Sequence, residues 1–260
     1  MFRLGLGLAL TQSAYAGLHP FSAALIARMS VAPSAARAVD IDKLVRALVD
    51  AGVWGKLDLL HVLAAHHEQA ARLNWVAPVY DLAAYNSPLF AANRGFKGDG
   101  SAAWMASDGY NPGAGGVKFT LNDASLGTWV LTPSNTAGLD VFTGSGRLSR
   151  RDTTGDDYHY RINDGTSYYG PGATVASFHV VDRPDNATKR RFRDGVFRGS
   201  GAVAATAIAG YLRLFSTGTG SWSNAELSVA FAGASLTDVQ HAALYAALRT
   251  YLLTVVAITE

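Results

Sequence analysis

From Val79 to Gly233 the chain is a succession of short apolar runs broken at close intervals by Gly, Asn, Asp and Ser. Runs of this length, punctuated in this way, predict an all-β sandwich or barrel. The runs are not separated by helical patterns, which argues against a doubly wound parallel sheet. Strands are expected at Trp104 to Met105, Gly116 to Leu121, Thr128 to Thr132, Leu139 to Phe142, Tyr158 to Ile162 and Ala176 to Val181. Further strands are expected at Thr188 to Phe192, Val196 to Phe197, Ala209 to Phe215 and Leu227 to Phe231. Arg193-Asp194-Gly195 is a hairpin signal, because Asp-Gly tolerates the positive φ angles of a tight turn.

The strand region closes on one helix. Leu227, Val229 and Phe231 alternate with Ser228 and Ala230, and Gly233 breaks the pattern. Ser235 or Thr237 can cap a following helix, and Asp238 places negative charge at the positive end of its dipole. Leu244, Leu248, Tyr251, Leu252 and Val255 then form one apolar stripe, which must dock on something.

Ahead of the strands the texture differs. Up to about residue 78 Ala, Leu and His dominate, and two helices are expected, Val39 to Ala51 and Trp54 to Leu73, separated by Gly52. They read as a helical hairpin behind an extended arm, Leu10 to Ala38. The expected domains are residues 1–78, an arm and hairpin for attachment and oligomerisation, and 79–260, the sandwich with its closing helix. Residues 1–16 imitate a secretory signal, with Arg3, the apolar run Leu4 to Leu10 and a cleavage site at Ala14-Tyr15-Ala16. The apolar run is short for that purpose, so the reading is an uncleaved anchoring end, with cleavage as the alternative.

Composition bounds the rest. With 260 residues, 49% hydrophobic and 16% charged, the chain can bury a substantial core. A net charge of +2 gives no electrostatic case for nucleic acid. Lys189, Arg190, Arg191, Arg193 and Arg198 form the one dense basic run, read as a solvated hairpin edge. Without cysteine there are no disulfides, thiolate metal sites or cysteine nucleophiles. No window approaches the ~20 apolar residues of a membrane span.

A family resemblance rests on short motifs. Arg94-Gly95-Phe96-Lys97-Gly98-Asp99-Gly100-Ser101, Ala103-Trp104-Met105 and Gly109-Tyr110-Asn111-Pro112 resemble the first core hairpin of concanavalin A-like (laminin-G-like) jelly-roll domains. The segment from Asn122 to Val130 is similar to their next strand entry. Together with Phe231 to Thr237 and the closing helix, the chain resembles structural proteins of tailed phages and gene transfer agents, of the head-spike or tail-fibre type. The resemblance implies a module on the surface of a virus-like particle, held to other particle proteins through its N-terminal region. It also implies a homo-oligomer, trimers included, that binds host surface or capsular polysaccharide. A purely structural spike, or a secreted glycan-active enzyme, are the alternatives.

Candidate chemistry is sparse. The chain has three glutamates, Glu68, Glu226 and Glu260, too scattered for the paired carboxylates of a jelly-roll glycosidase, so the expectation is no enzyme. His61, His66, His67 and Glu68 lack the i, i+4 spacing of helical zinc ligands and are read as packing residues. No glycine string carries a nucleotide-loop context, no Gly-x-Ser-x-Gly elbow occurs, and no cofactor is implied. The segment from Gly155 to Tyr169 is the one with the composition of a sugar site. Tyr158, Tyr160, Tyr168 and Tyr169 supply aromatic faces, and Arg161, Asn163 and Asp164 supply hydrogen-bonding groups. Tyrosine also favours strands for ordinary reasons. Asp156, Asp157 and Asn163 could offer calcium oxygens, but without a loop motif no metal is assigned. Trp104, Trp129 and Trp222 are read as packing residues.

Overall fold

The computed structural model describes residues 15, 17–150, 153–208 and 210–255. The signal-like apolar run and the residues flanking Tyr15 lie outside them. The chain forms two antiparallel sheets packed face to face, with helices over one outer face. This is the expected jelly-roll sandwich.

The first sheet contains β1 (Leu57–Val62), β3 (Leu89–Ala91), β4 (Gly95–Lys97), β6 (Ala124–Thr132), β11 (Ser177–Arg183), β12 (Thr188–Arg193), β13 (Val196–Ala202) and β15 (Glu226–Gly233). Its strand order is β13-β12-β11-β6-β15-β4-β3, with β1 also pairing to β15. The second sheet has the order β10-β9-β8-β7-β14-β5-β2. These strands are β2 (Leu82–Tyr85), β5 (Trp104–Ser107), β7 (Leu139–Phe142), β8 (Arg147–Arg150), β9 (Asp157–Arg161), β10 (Tyr168–Pro171) and β14 (Arg213–Leu214). The helices are α1 (Pro20–Ala27), α2 (Ala35–Asp50), α3 (Glu68–Arg72) and α4 (Asp238–Val255).

Two apolar layers hold this together. Between the sheets pack Met105, Leu126, Val141, Leu148, Tyr160 and Leu214, among others. Between the helices and the first sheet pack Leu44, Leu48, Trp129, Phe178, Phe231 and Leu248. The stripe predicted on α4 is buried throughout, from Leu244 to Val255. Thr237 caps α4: its Oγ1 accepts from the Gln240 amide at 3.2 Å, and Gln240 Oε1 accepts from the Thr237 amide at 3.0 Å. Asp182, fully buried on β11, ties this helix start to the sheet. It accepts from Ser235 Oγ at 2.9 Å, the Leu236 amide at 3.0 Å and Arg190 at 2.6 Å.

Several sequence expectations need correction. Trp54 to Leu73 is not a helix but a 3-10 turn, the strand β1 and the short α3. Leu57, Leu60 and Val62 face the helical layer while Leu59 and Leu63 face the intersheet layer, so the strand is apolar on both sides and its period of two is hidden. The helical hairpin is therefore absent, and α2 packs against α4 instead. Leu10 to Ala38 is not an extended arm where it is described. Pro20 opens α1, and Ser34 Oγ caps α2 by accepting from the Arg37 amide at 3.2 Å. Gly116 to Leu121 is a loop fastened to Asp58 of β1, which accepts from the Lys118 and Phe119 amides. Ala209 lies outside the described residues, and of Gly210 to Phe215 only Arg213–Leu214 pair as a strand. The Asp194-Gly195 turn forms as expected, with φ of 53° and 74°.

Two histidines are buried in the sandwich and held neutral. Burial pushes His61 down to about 4 and His179 down to about 3. Both sit below their unfolded value, so their stabilisation is complete above about pH 6.5 and is lost as the pH falls and the unfolded chain takes up protons. Asp140, buried against Ser223 and Tyr158, is raised by desolvation to about 6 and works in the opposite sense, favouring the fold as it protonates. Two groups against one leave a net loss of about 1.4 kcal/mol per pH unit between pH 6 and 4.5. Urea unfolding across that range is expected to show this slope, and Asp140→Asn to steepen it. A stability that rises on acidification would contradict the assignment.

Candidate functional site

The helices cover the first sheet, and the second sheet covers its other face. The outer face of the second sheet is the broad surface that neither apolar layer claims. Its side chains are fixed by alternation: on β9, Tyr158 and Tyr160 enter the intersheet layer, so Asp157, His159 and Arg161 point outward. By the same rule Arg147 and Ser149 point outward from β8, Phe142 from β7, Arg213 from β14, Trp104 from β5 and Tyr85 from β2.

Strand register arranges these residues in rows. Arg213 pairs with Phe142, Phe142 with Arg147, and Arg147 with Arg161, so three guanidiniums and one phenyl ring cross four neighbouring strands. A second row carries Tyr85 opposite Trp104 at one end, and Ser149, His159 and Tyr169 at the other. Tyr85 and Trp104 are stacked at 4.1 Å and 11°. The Arg213 guanidinium covers Trp104 at 5.2 Å and lies 5.7 Å from the Tyr211 ring, and it donates to the Thr217 carbonyl. Tyr85 donates to Asp108 at 2.7 Å, which raises the phenol's pKa. Tyr169 and Tyr211 are about two-fifths exposed, at 38% and 41%. The result is a face of flat rings and guanidinium edges, the groups that meet the apolar side and the hydroxyls of a pyranose.

The residues expected to form a sugar site divide between two environments. Tyr158 and Tyr160 are buried, at 2% and 1% exposure, and cannot offer ring faces to solvent. Tyr158 donates to Asp140 at 2.7 Å and stacks on His179 at 3.7 Å, while Tyr160 bonds His179 Nδ1 at 2.7 Å. Asn163 is buried and donates to the Thr120 and Leu121 carbonyls. Asp164 is buried between Arg183, at 2.5 Å, and Lys189, at 2.9 Å. Tyr168 packs beneath Arg191, whose guanidinium sits 5.0 Å from its ring. Arg161 and Tyr169 do reach the outer face.

The basic run is likewise less solvated than expected. Lys189 is buried with Asp164, which counters the burial that lowers the lysine's pKa, and Arg190 is bound to Asp182 and Asp238. Of the suggested calcium oxygens, Asp156 accepts from the Gly172 and Thr174 amides and Asn163 is committed as above. The histidines also disperse: His61 bonds the Leu73 carbonyl, His66 the Val31 carbonyl, and His67 caps α3. Among the described residues no group of three or more metal-ligating side chains is placed to hold an ion.

Trp104, read as core or edge packing, packs at the sheet's outer face and is partly exposed there. Its pairing with Tyr85 depends on β2 lying next to β5 across a connection that strand propensity does not reveal.

No protein-family model matches the chain, and no curated relative matches it either. Solved structures do. The chain is similar to the Trypanosoma rangeli sialidase in complex with sialic acid, at 11% identity and a TM-score of 0.55, over 81% of this chain and 39% of that one. It is similar to a botulinum neurotoxin type C structure, from a toxin whose cell entry depends on two ganglioside molecules, at 9% identity and a TM-score of 0.54, over 76% and 53%. The receptor-binding domain of the botulinum neurotoxin C/D mosaic serotype matches at 10% identity and a TM-score of 0.52, over 74% and 51%. The chain thus spans 39% of the sialidase and about half of the toxin chains. At these identities the likeness establishes the fold. It also corrects the expectation of no enzyme: a sialidase contains a region of this shape, so the fold and a shortage of glutamates give no ground for excluding glycan chemistry.

The buried triad yields a direct test of the reassigned Asp164. Asp164→Asn leaves the Arg183 and Lys189 charges buried without their counter-charge, so a loss of about 3–5 kcal/mol in chemical unfolding is expected. Tyr169→Ala, at an exposed ring, should stay within about 0.5 kcal/mol of wild type.

Proposed function

We propose that this chain recognises carbohydrate on the outer face of its second sheet, as an outward-facing module of a phage-like particle. The observation that carries the carbohydrate reading is the row of Arg213, Phe142, Arg147 and Arg161 beside the Tyr85 and Trp104 stack and the exposed Tyr169 and Tyr211. Protein sites for sugars combine flat apolar surface with planar hydrogen-bond donors, and this face has both, around a row in which Ser149 and His159 are buried. The structural neighbours support the reading, one being in complex with sialic acid and another dependent on gangliosides. The particle setting is supported by the motifs from Arg94 to Pro112 and from Phe231 to Thr237 and by the resemblance they carry.

The test is binding of the full-length chain to a glycan array and to host capsular polysaccharide. Recognition by this face predicts that Tyr169→Ala and Tyr211→Ala each weaken binding by about 1–3 kcal/mol, on a scale borrowed from base–aromatic stacking, with unfolding midpoints unchanged. No binding at millimolar saccharide would leave a purely structural role. Binding that both variants retain would move the site off this face.

A further inference from the structure

We infer that the saccharide is acidic, and that its carboxylate or sulfate is held by Arg147 and Arg161; this deepens the carbohydrate reading and rests on it. The two arginines are direct register partners on β8 and β9, both outward-facing and half-buried. Like charges placed opposite one another on a sheet destabilise it, and four other arginines of the chain are paired with carboxylates. Arg183 is paired with Asp164, Arg190 with Asp182, Arg94 with Glu226 and Arg28 with Asp81. Arg147 and Arg161 have no carboxylate within ion-pair distance among the described residues. The Nε atom of each is buried and has no acceptor there, as is also true of Arg150, Arg191, Arg193 and Arg213. What sets this pair apart is that the two face each other directly across adjacent strands.

Buried donors without acceptors are rare in folded proteins, and each calls for an explanation. The surroundings of Arg147 show the strain: burial and the neighbouring Arg161 charge both lower its pKa. An oxyanion set between the two forks would accept from both planar guanidiniums and cancel their repulsion, a geometry suited to carboxylate and sulfate. Neutral hydroxyls would accept hydrogen bonds there but leave the charges uncompensated. Phe142 on the β7 side and Tyr169 on β10, across β9, provide apolar surface for the ring that carries the anion.

Titration calorimetry of the full-length chain would compare a uronate oligosaccharide, a sulfated one, their neutral counterpart of equal length, and inorganic sulfate. The expected result is acidic saccharide bound at least about tenfold more tightly than neutral, with Arg147→Gln and Arg161→Gln each costing about 10- to 100-fold for the acidic ligand alone. Arg147→Lys, which keeps the charge but loses the fork, should recover part of that loss. Thermal midpoints of the Gln variants should equal or exceed wild type, since each removes one of two opposed charges; a purely structural role would lower them. Equal affinity for acidic and neutral saccharides, or acid preference that survives both Gln variants, overturns the inference and leaves the carbohydrate reading standing. Sulfate bound without preference for any saccharide also overturns it. Failure of every saccharide to bind overturns the carbohydrate reading itself.

Discussion

The architecture depends on burial of β6 and β15 from both sides. Every residue of β15 is buried, and the two strands pair along most of their length. Strands wet on neither face need two covering layers, and the chain supplies one as helices and the other as a second sheet. Side-chain size is sorted accordingly. Val229 and Phe231 face the helices, while Leu227, Ala230 and Ala232 face the second sheet. The Phe231 ring lies directly over Gly127 of the neighbouring strand, where a Cβ would fall 2.0 Å from Cε1. A residue larger than glycine there would displace the ring on which the helical layer rests.

Two-sided burial also explains what the sequence reveals and conceals. The alternation of Val229 and Phe231 with Ser228 and Ala230 is legible because the latter are smaller or more polar, even though Ser228 is itself fully buried. The register shift between Leu227 and Val229 turns Leu227 to the opposite face, which the period of two did not reveal. In β1 both faces carry leucine or valine, the alternation vanishes, and an apolar run beside Ala64 and Ala65 mimics a helix. The closing helix was legible because its large buried residues from Leu244 to Val255 fall on one stripe and its cap is a local signal. Connections made through side chains, such as Asp58 gripping the 118–119 amides, leave no periodic trace.

The candidate site was legible in composition but not in orientation. The segment from Gly155 to Tyr169 does contribute Arg161 and Tyr169 to the exposed face, yet alternation sends Tyr158 and Tyr160 the other way, and Asp164 is drawn inward by two cations that lie on β11 and β12. Arg147, Arg213, Trp104 and Tyr85 belong to four strands distant in sequence. Their convergence is a product of strand order, which short-range pattern does not encode. The same inward-facing residues build the floor of the outer face, so the tyrosines of the segment position the site from beneath.

Strand β13 stands at the edge of the first sheet, with Val196 and Phe197 half-exposed at 51% and 44%. A flat edge bearing such residues would template pairing with the edge of another copy. The register shift in the β12–β13 hairpin pairs Arg191 with Gly199 but Phe192 with Phe197, leaving Arg198 as an extra residue at a bulge, and Gly199 adopts φ of +133°. The bend interrupts the ladder of free amides and carbonyls where it would otherwise be most adhesive. Copies of the chain can therefore be crowded together without edge-to-edge aggregation along this strand, an insurance that a glycine-rich strand supplies at small cost in stability.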